Sequence, residues 1–464
     1  MPSKVNVGWR DAGLRFWILV AFLVVVFLTG GSGRADVQSL ALLRPLSVAL
    51  CGFALWNMRR EHLRSHKSLF VAAGLIFSYV GIYLVPIPPS IWTALPGRDI
   101  IEEIDNVAAL GSVWRPMSIT PNLTWNALYS LFVPFAVLLV GVQLSRNEKI
   151  LLLPVLLALS VFSGFWGLLQ SIGSPQSALY LYRITNNGFA VGLFANRNHQ
   201  AILLASMFPM IAVYAWAGVR SVEQGKVKAA VSLAIGVVLV PLLLVTGSRA
   251  GLAFGVLALA SVIIVYRKPL VTAPTKRKLR KFNPLHGAVF LGAMMLSATT
   301  ILMSRAEAVR RLAEPGQFDD LRLQAWRPIA HAAARFFPVG TGPGTFVPVY
   351  QLYEPTELLR TGYLNAAHND WLDLLLTGGA IGSTLALFLV VGFVRLASRA
   401  LTADVYSSRD VVFARLGMII AVIFAAGSIV DYPLKTPALV CVFVISLLWL
   451  VGNRDEQSER TGSV

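Results

Sequence analysis

The chain has 464 residues, 56% of them hydrophobic and only 14% charged, and a mean hydropathy of +0.67. Soluble domains are about a quarter charged, so this composition excludes a soluble globular protein and implies a polytopic membrane one. The net charge of +17 would suit nucleic acid, but it lies in short loops between apolar runs with no aromatic–basic platform, which argues against that partner.

A membrane-spanning helix needs about 20 mostly apolar residues. Such runs fall at 14–30, 40–57, 68–86, 125–144, 149–172, 199–219, 229–246, 249–266, 286–303, 371–395, 411–430 and 436–452. They predict an all-α integral domain over 1–464 with about twelve transmembrane helices. The first run follows Lys4, Arg10 and Arg15 and has no small-residue cleavage site, so it is expected to stay as a helix. Cys51 and Cys441 fall inside apolar runs and read as small core residues.

The basic clusters Arg59/Arg60/Arg64/Lys67, Arg146/Lys149, Arg220/Lys226/Lys228 and Lys276–Lys281 occupy alternate loops. By the positive-inside rule those loops and both termini are cytoplasmic. The outward segments are then 31–37, 86–124, 173–198, 247–249, 304–370 and 431–435. The 304–370 segment is too long for a bare connector and is expected to be a large periplasmic loop between helices 9 and 10. Within it, 321–337 reads as a helix with an apolar stripe of Leu321, Trp326, Ile329, Phe336 and Phe337, stopped by Pro338 and suited to the interface plane.

The outward segments also hold the candidate chemistry. Arg249, in Thr246–Gly251 between two apolar runs, is either a snorkelling arginine or an anion clamp. Arg322, with Trp326 one turn on, is either a solvated residue pairing with Asp319 or Asp320 or a second fork for phosphate oxygens. The cluster Asn196-Arg197-Asn198-His199 opens a helix, and offers either an N-cap or a site for sugar hydroxyls or phosphate. His368-Asn369 stands where the long loop meets a new apolar helix, and a histidine there suits proton transfer. Asp431 could pair with Lys435 or an arginine, or orient a histidine, while Arg34 and Asp36 read as a local pair. The glycines 340, 342 and 344 read as a turn, because the strand–helix context of a nucleotide fingerprint is missing. The scattered histidines match no metal motif.

Four stretches together resemble the O-antigen ligase / O-antigen polymerase superfamily of bacterial membrane glycan ligases and polymerases. They are Gly192–Ala201, Thr246–Gly251, Arg322-x-x-x-Trp326 with the glycine turn ending at Phe346, and His368-Asn369 followed by Gly379-x-x-Gly382. The resemblance implies a GT-C-like fold in the bacterial inner membrane. It implies a polyprenyl-diphosphate-linked glycan donor, and a glycan or lipid A-core acceptor at the periplasmic face. It places Arg249, Arg322 and His368 as the functional core, with Asn196, Arg197, Asn198, Asn369, Trp326 and Asp431 around the substrate. No metal or other cofactor is expected, and membrane lipids are the remaining partners. The competing class is a transporter that flips a lipid-linked glycan.

Overall fold

The computed structural model describes residues 9–217, 219, 221–265, 317–360, 362–403 and 409–452. It is helical, with a single two-residue antiparallel ladder pairing Pro86 with Pro116 and Ile87 with Arg115 among the described residues. The principal helices are α1 (Leu14–Thr29), α2 (Leu40–Trp56), α3 (Lys67–Ile82), α4 (Pro121–Ser130), α5 (Phe132–Gly141), α6 (Arg146–Ile172) and α7 (Arg197–Trp216). They continue with α8 (Val222–Val245), α9 (Arg249–Val265), α10 (Gln317–Phe336), α11 (Phe346–Tyr353), α12 (Asp370–Thr402), α13 (Arg409–Val430) and α14 (Pro437–Val451).

Among the described residues, six helical stretches are long and apolar enough to cross a membrane: Pro121–Gly141, α6, α7, α8, α12 and α13. Five shorter apolar helices, α1, α2, α3, α9 and α14, accompany them. The helical segments match the apolar runs with local differences. The 125–144 run begins earlier, at Pro121, and divides at Leu131 into α4 and α5. The 371–395 run continues to Thr402. The 286–303 run and residues 304–316 lie outside the described residues.

Local signals explain several helix starts. Ser145 opens α6 with a capping box, its hydroxyl accepting from the Glu148 amide while Glu148 Oε2 accepts from the Ser145 amide at 2.8 Å. Ser221 caps α8 by accepting from the Gln224 amide. Helix α7 is the innermost of the bundle, with Ile202, Leu203, Met207 and Met210 at 0–1% exposure. A helix apolar on all sides must be surrounded by others, and α7 packs on α6, α8, α9 and α13. Its N-terminus carries the Asn196–His199 cluster.

Polar contacts gather at the two ends of the bundle. At one end the loops are sewn together: Ala195 N to Gly31 O at 3.0 Å, Ala438 N to Gly30 O at 2.9 Å, Ile119 N to Thr341 O at 2.9 Å. At the other end Arg146 pairs with Asp410, and Gln143 donates to Ala54 O at 2.8 Å.

The loop helix is present as α10 and ends before Pro338, and its buried face keeps Ile329 and Phe336 of the expected stripe and adds alanines to them. Ala325, Ile329, Ala332, Ala333 and Phe336 pack it onto α11 and α12, whereas Phe337 is 51% exposed. The side chain of Leu321 lies outside the described residues. Alanines let the helices approach closely, and a reading that counts only large apolar residues passes over them. The packing is therefore against protein on this face.

Helix α12 is broken at Gly379, whose φ of 52° and ψ of −139° only glycine adopts readily. A Cβ there would lie 2.2 Å from Pro338 O. The segment after α10 threads through this break: Ala380 N donates to Pro338 O at 2.7 Å and Gly342 N to Thr377 O at 2.7 Å. Gly340 meets the same obstacle from the other side, since a Cβ on it would sit 2.7 Å from Gly379 N. Arg98 secures the crossing by donating to Gly340 O at 2.9 Å and Met117 O at 2.7 Å. The glycine turn therefore serves the close approach of two backbones.

Candidate active site

His368 is the last residue before the α12 cap, and 7% exposed. Its φ of 48° is left-handed, a conformation that costs a non-glycine residue about 1–3 kcal/mol unless its surroundings hold it. Two features hold it. Asn369 caps α12, its Oδ1 accepting from the amides of Trp371 and Leu372 at 3.1 Å each. The imidazole Nδ1 of His368 lies 3.1 Å from Asp431 Oδ1.

Asp431 is the centre of the cluster, with no exposed surface. It accepts from Asn196 Nδ2 at 3.1 and 3.3 Å, Asn198 Nδ2 at 2.6 Å and the Tyr432 amide at 3.0 Å. His199 Nε2 stands 3.7 Å away, and its Nδ1 meets Thr436 Oγ1 at 2.9 Å. The Tyr432 ring is edge-on to both imidazoles, with centroids 4.8 Å from His199 and 5.0 Å from His368. Its hydroxyl accepts from Asn365 Nδ2 at 3.1 Å.

The same network reaches the Thr246–Gly251 turn. Ser248 Oγ donates to Asn198 Oδ1 at 2.8 Å and accepts from Gly251 N at 2.9 Å, which starts α9. Arg249 follows Ser248 on the first turn of α9 and is exposed. Arg322 lies on α10, near enough for its positive charge to act on His368 and Tyr432. The Trp326 indole donates to Ala367 O at 3.2 Å, bringing α10 against the residue before His368. Arg197 stacks on Phe189, with its guanidinium carbon 4.3 Å from the ring centroid. Thus Asn196, Asn198, Asp431 and His368 form one hydrogen-bonded unit. Arg249 and Arg322 border it, Trp326 and Asn369 hold backbone around it, and Arg197 points its charge onto an aromatic face.

The charges follow from this placement. Burial lowers the basicity of His368, and Arg322 adds to that, against the pull of Asp431. Burial opposes the charge on Asp431, yet His368 and His199 hold its carboxyl well below the usual carboxylate range. A neutral imidazole beside a carboxylate donates its Nδ1–H, which leaves the Nε2 lone pair available. That tautomer is assigned from the hydrogen bond. Among the described residues Nε2 of His368 has no hydrogen-bond partner, and it is not one of the fully enclosed polar atoms. The unit therefore presents one unspent proton acceptor within reach of the Arg322 charge, with Arg249 next in sequence to Ser248 at its α9 edge.

A second cluster, not singled out by sequence, flanks the first. Lys435 Nζ lies 2.6 Å from Asp373 Oδ2, and Ser428 Oγ donates to Asp370 Oδ2 at 2.8 Å. Burial opposes the charge on Lys435, but Asp373 and Asp370 raise its basicity above the ordinary lysine range. These bonds clamp the 431–435 hairpin onto the first turn of α12 and so bracket the His368–Asp431 contact. The signal for them was present in sequence: two carboxylates opening an apolar run ask for a partner. Among the described residues no group of three or more His, Cys, Asp or Glu is placed to hold a metal ion.

Fold and site define a multi-pass helical membrane protein with a histidine–carboxylate unit at one end of the bundle. Residues 234–387 match the family model described as O-antigen ligase, a stretch that contains Arg249, Arg322, His368, Gly379 and Gly382. Over that stretch the chain is similar to the O-antigen ligase family. No curated protein matches the chain. Asp431, which bonds His368, and Asn196 and Asn198, which bond Asp431, lie outside the matched stretch.

Proposed function

We propose that the protein is a glycosyltransferase that moves a polyprenyl-diphosphate-linked glycan onto a sugar hydroxyl in surface polysaccharide biosynthesis. In this reading the fold is GT-C-like with about twelve spans, both termini are cytoplasmic, and the site faces the periplasm from the inner membrane. The observation that carries it is the buried His368–Asp431 pair, with Nε2 unspent and the Arg322 charge acting on it. His368 Nε2 takes the proton of the attacking acceptor hydroxyl as its oxygen bonds to the anomeric carbon. The bond from that carbon to the phosphate oxygen breaks, and the diphosphate leaves with the electron pair. Arg249 and Arg322 stabilise the charge that develops on it. Asp431 fixes the tautomer and the ring, and stabilises the imidazolium once formed. The energy comes from the donor's own phosphoester bond, so no nucleotide is consumed.

The test uses the purified full-length protein in nanodiscs with a polyprenyl-diphosphate-linked oligosaccharide and a glycan acceptor. Transfer is expected for the wild type. His368→Asn is expected to reduce it by about 10²–10⁴-fold while the protein remains folded. Wild-type transfer by His368→Asn, or translocation of the donor without transfer, overturns the reading. The facing of the site is checked separately. A cysteine at exposed Leu359 is expected to react with an impermeant reagent in intact spheroplasts. Reaction only after lysis reverses the topology.

A further inference from the structure

His199 stands at the start of α7, is 1% exposed, and has no part in the chemistry described above. Its Nδ1 lies 2.9 Å from the hydroxyl of Thr436, which is fully buried and has no other side-chain hydrogen bond among the described residues. With that hydroxyl donating to Nδ1, the ring proton sits on Nε2, a tautomer assigned from the bond. Nε2 stands 3.7 Å from Asp431 Oδ1. This is the same oxygen that Nδ1 of His368 reaches at 3.1 Å. At 3.7 Å no hydrogen bond forms, and Nε2 is fully enclosed with no partner. A buried donor with no acceptor is costly, so its presence calls for an explanation.

Two routes lead from His199 to His368. The first is the shared carboxylate oxygen, which meets one histidine from the start of α7 and one from the start of α12. The second is the Tyr432 ring, edge-on to both imidazoles with centroids at 4.8 and 5.0 Å. Asn365 donates to the hydroxyl of that ring at 3.1 Å and so holds it in place. A tilt of His199 is therefore passed to His368 through a charge and through a packed surface. The charges have a sign. A positive charge on His199 opposes one on His368, as the Arg322 charge on α10 also does, while Asp431 favours it. Tyr432 and Lys435 on the hairpin, Asp370 and Asp373 on α12, Arg249 on α9 and Arg197 on α7 are the other titratable or charged groups on these elements. They are common to every variant below.

We propose that His199, oriented by Thr436, is a positioning residue for His368. It shares Asp431 with the base and props the ring of the base through Tyr432, and it touches neither substrate nor leaving group. The inference rests on the function proposed above, which makes His368 the proton acceptor. Without His199 the carboxylate oxygen serves His368 alone, so the base becomes more basic while its ring loses the prop that aims it. Removal of Asp431 moves the basicity the other way. A residue that served only the fold would move it in neither direction.

Two readouts on the purified full-length protein in nanodiscs test it. One is the pH profile of glycan transfer. The other is the pH profile of His368 modification by diethyl pyrocarbonate, located by peptide mass spectrometry. That reagent attacks the unprotonated imidazole, so the second readout needs no turnover. His199→Leu fills the space but has neither ring nor nitrogens. It is expected to lower kcat by about 10²-fold, the effect of misplacing a reacting group by about an ångström, with KM for the donor unchanged. Both midpoints are expected to move up in pH. Thr436→Val removes the hydroxyl that sets the tautomer, and is expected to move both midpoints the same way by less. Thr436→Ser keeps the hydroxyl and is expected to restore them. An unmoved midpoint in His199→Leu, or a wild-type kcat at equal amounts of folded protein, makes His199 an ordinary core residue and overturns the proposal. If His199→Leu does not accumulate, the two Thr436 variants decide: equal midpoints in Thr436→Val and Thr436→Ser overturn it. If His368→Asn transfers glycan as the wild type does, the function proposed above falls, and the modification midpoint alone judges the link between the two histidines.

Discussion

Arg415 and His368 are both buried basic groups, one toward each end of the bundle, and they are satisfied in different ways. Arg415 is 2% exposed and spends its donors on backbone: Ala400 O at 2.9 Å, Ile264 O at 3.3 Å, Leu401 O at 3.1 Å and Ala403 O at 2.9 Å. It thereby closes the C-terminus of α12 onto α9 and α13, where a cation also suits the helix dipole. Nearby, Lys149 Nζ meets His66 Nε2 at 3.0 Å, and the Trp449 indole donates to Lys149 O at 2.8 Å. At the other end a carboxylate, Asp431, collects two asparagines and two histidines, and Nε2 of His368 is left unspent. A basic group that spends donors on the backbone carbonyls of helix ends is a staple. One held by a carboxylate with a lone pair to spare is equipped for chemistry.

The comparison breaks most severely at Gly379, where α12 must open for both functions to coexist. Gly379→Ala places a Cβ 2.2 Å from Pro338 O and holds alanine at φ 52°, which alone costs about 1–2 kcal/mol. The backbone oxygen cannot move without unthreading the 338–342 crossing, so the variant is expected not to accumulate in the membrane. Wild-type levels on an immunoblot, with normal glycan transfer, would show that the break is not required.

Asp431→Asn sharpens the chemical side. The amide preserves the shape but removes the charge, so the preferred tautomer of His368 is lost along with the support for its imidazolium. A fall in transfer of about 10²–10⁴-fold is expected. The pH profile adds a sign. Burial lowers the His368 pKa from 6.5, so the wild-type acid limb should lie below that value. Asp431 raises it, so the limb of the residual activity should move further down in the variant. Stability follows the same direction. Below pH 6.5 the unfolded imidazole binds a proton that the folded one resists, so stability falls as pH falls toward the folded pKa. Asp431, held low in the fold, adds a second loss below pH 3.8. An acid limb that moves upward in Asp431→Asn contradicts the arrangement.

Arg415→Met tests the staple. Each buried carbonyl left without its donor costs about 1–3 kcal/mol, so a lower melting temperature is expected. The protein that does fold should transfer glycan with unchanged pH dependence. A shifted pH profile would tie Arg415 to the chemistry and dissolve the contrast.

Helices were more legible in the sequence than contacts were. Hydropathy located α1 and α14 because each burial is a local property of an apolar run. It did not see the division at Leu131, since both halves are equally apolar. It read only part of the buried face of α10, finding Ile329 and Phe336 but passing over Ala325, Ala332 and Ala333, which carry little hydropathy but set the approach distance. At the site, motif spacing singled out His368, Arg249 and Arg322 within short windows. Asp431 was legible only as one of several possible partners, because its bond to His368 spans 63 residues. The two carboxylates opening α12 signal that a partner is needed, but its identity as Lys435 is not readable from local pattern, since it comes from a hairpin 62 residues on from Asp373 in sequence.

The smallest effect belongs to Asn369, which stands beside His368 but does a different job. Its Oδ1 caps α12, so Asn369→Ala should cost about 1 kcal/mol of stability. Asn369→Ser and Asn369→Asp supply another cap oxygen and should restore it. If capping is its whole contribution, transfer by Asn369→Ser should match the wild type once the amount of folded protein is equal. If the asparagine also binds a sugar hydroxyl through Nδ2, the serine variant folds normally but its KM for the glycan rises. Melting temperature and KM measured on the same three variants separate the two. A restored melting temperature with an unrestored KM would move Asn369 from the scaffold into the substrate site, and would extend the chemical region past the histidine by one residue.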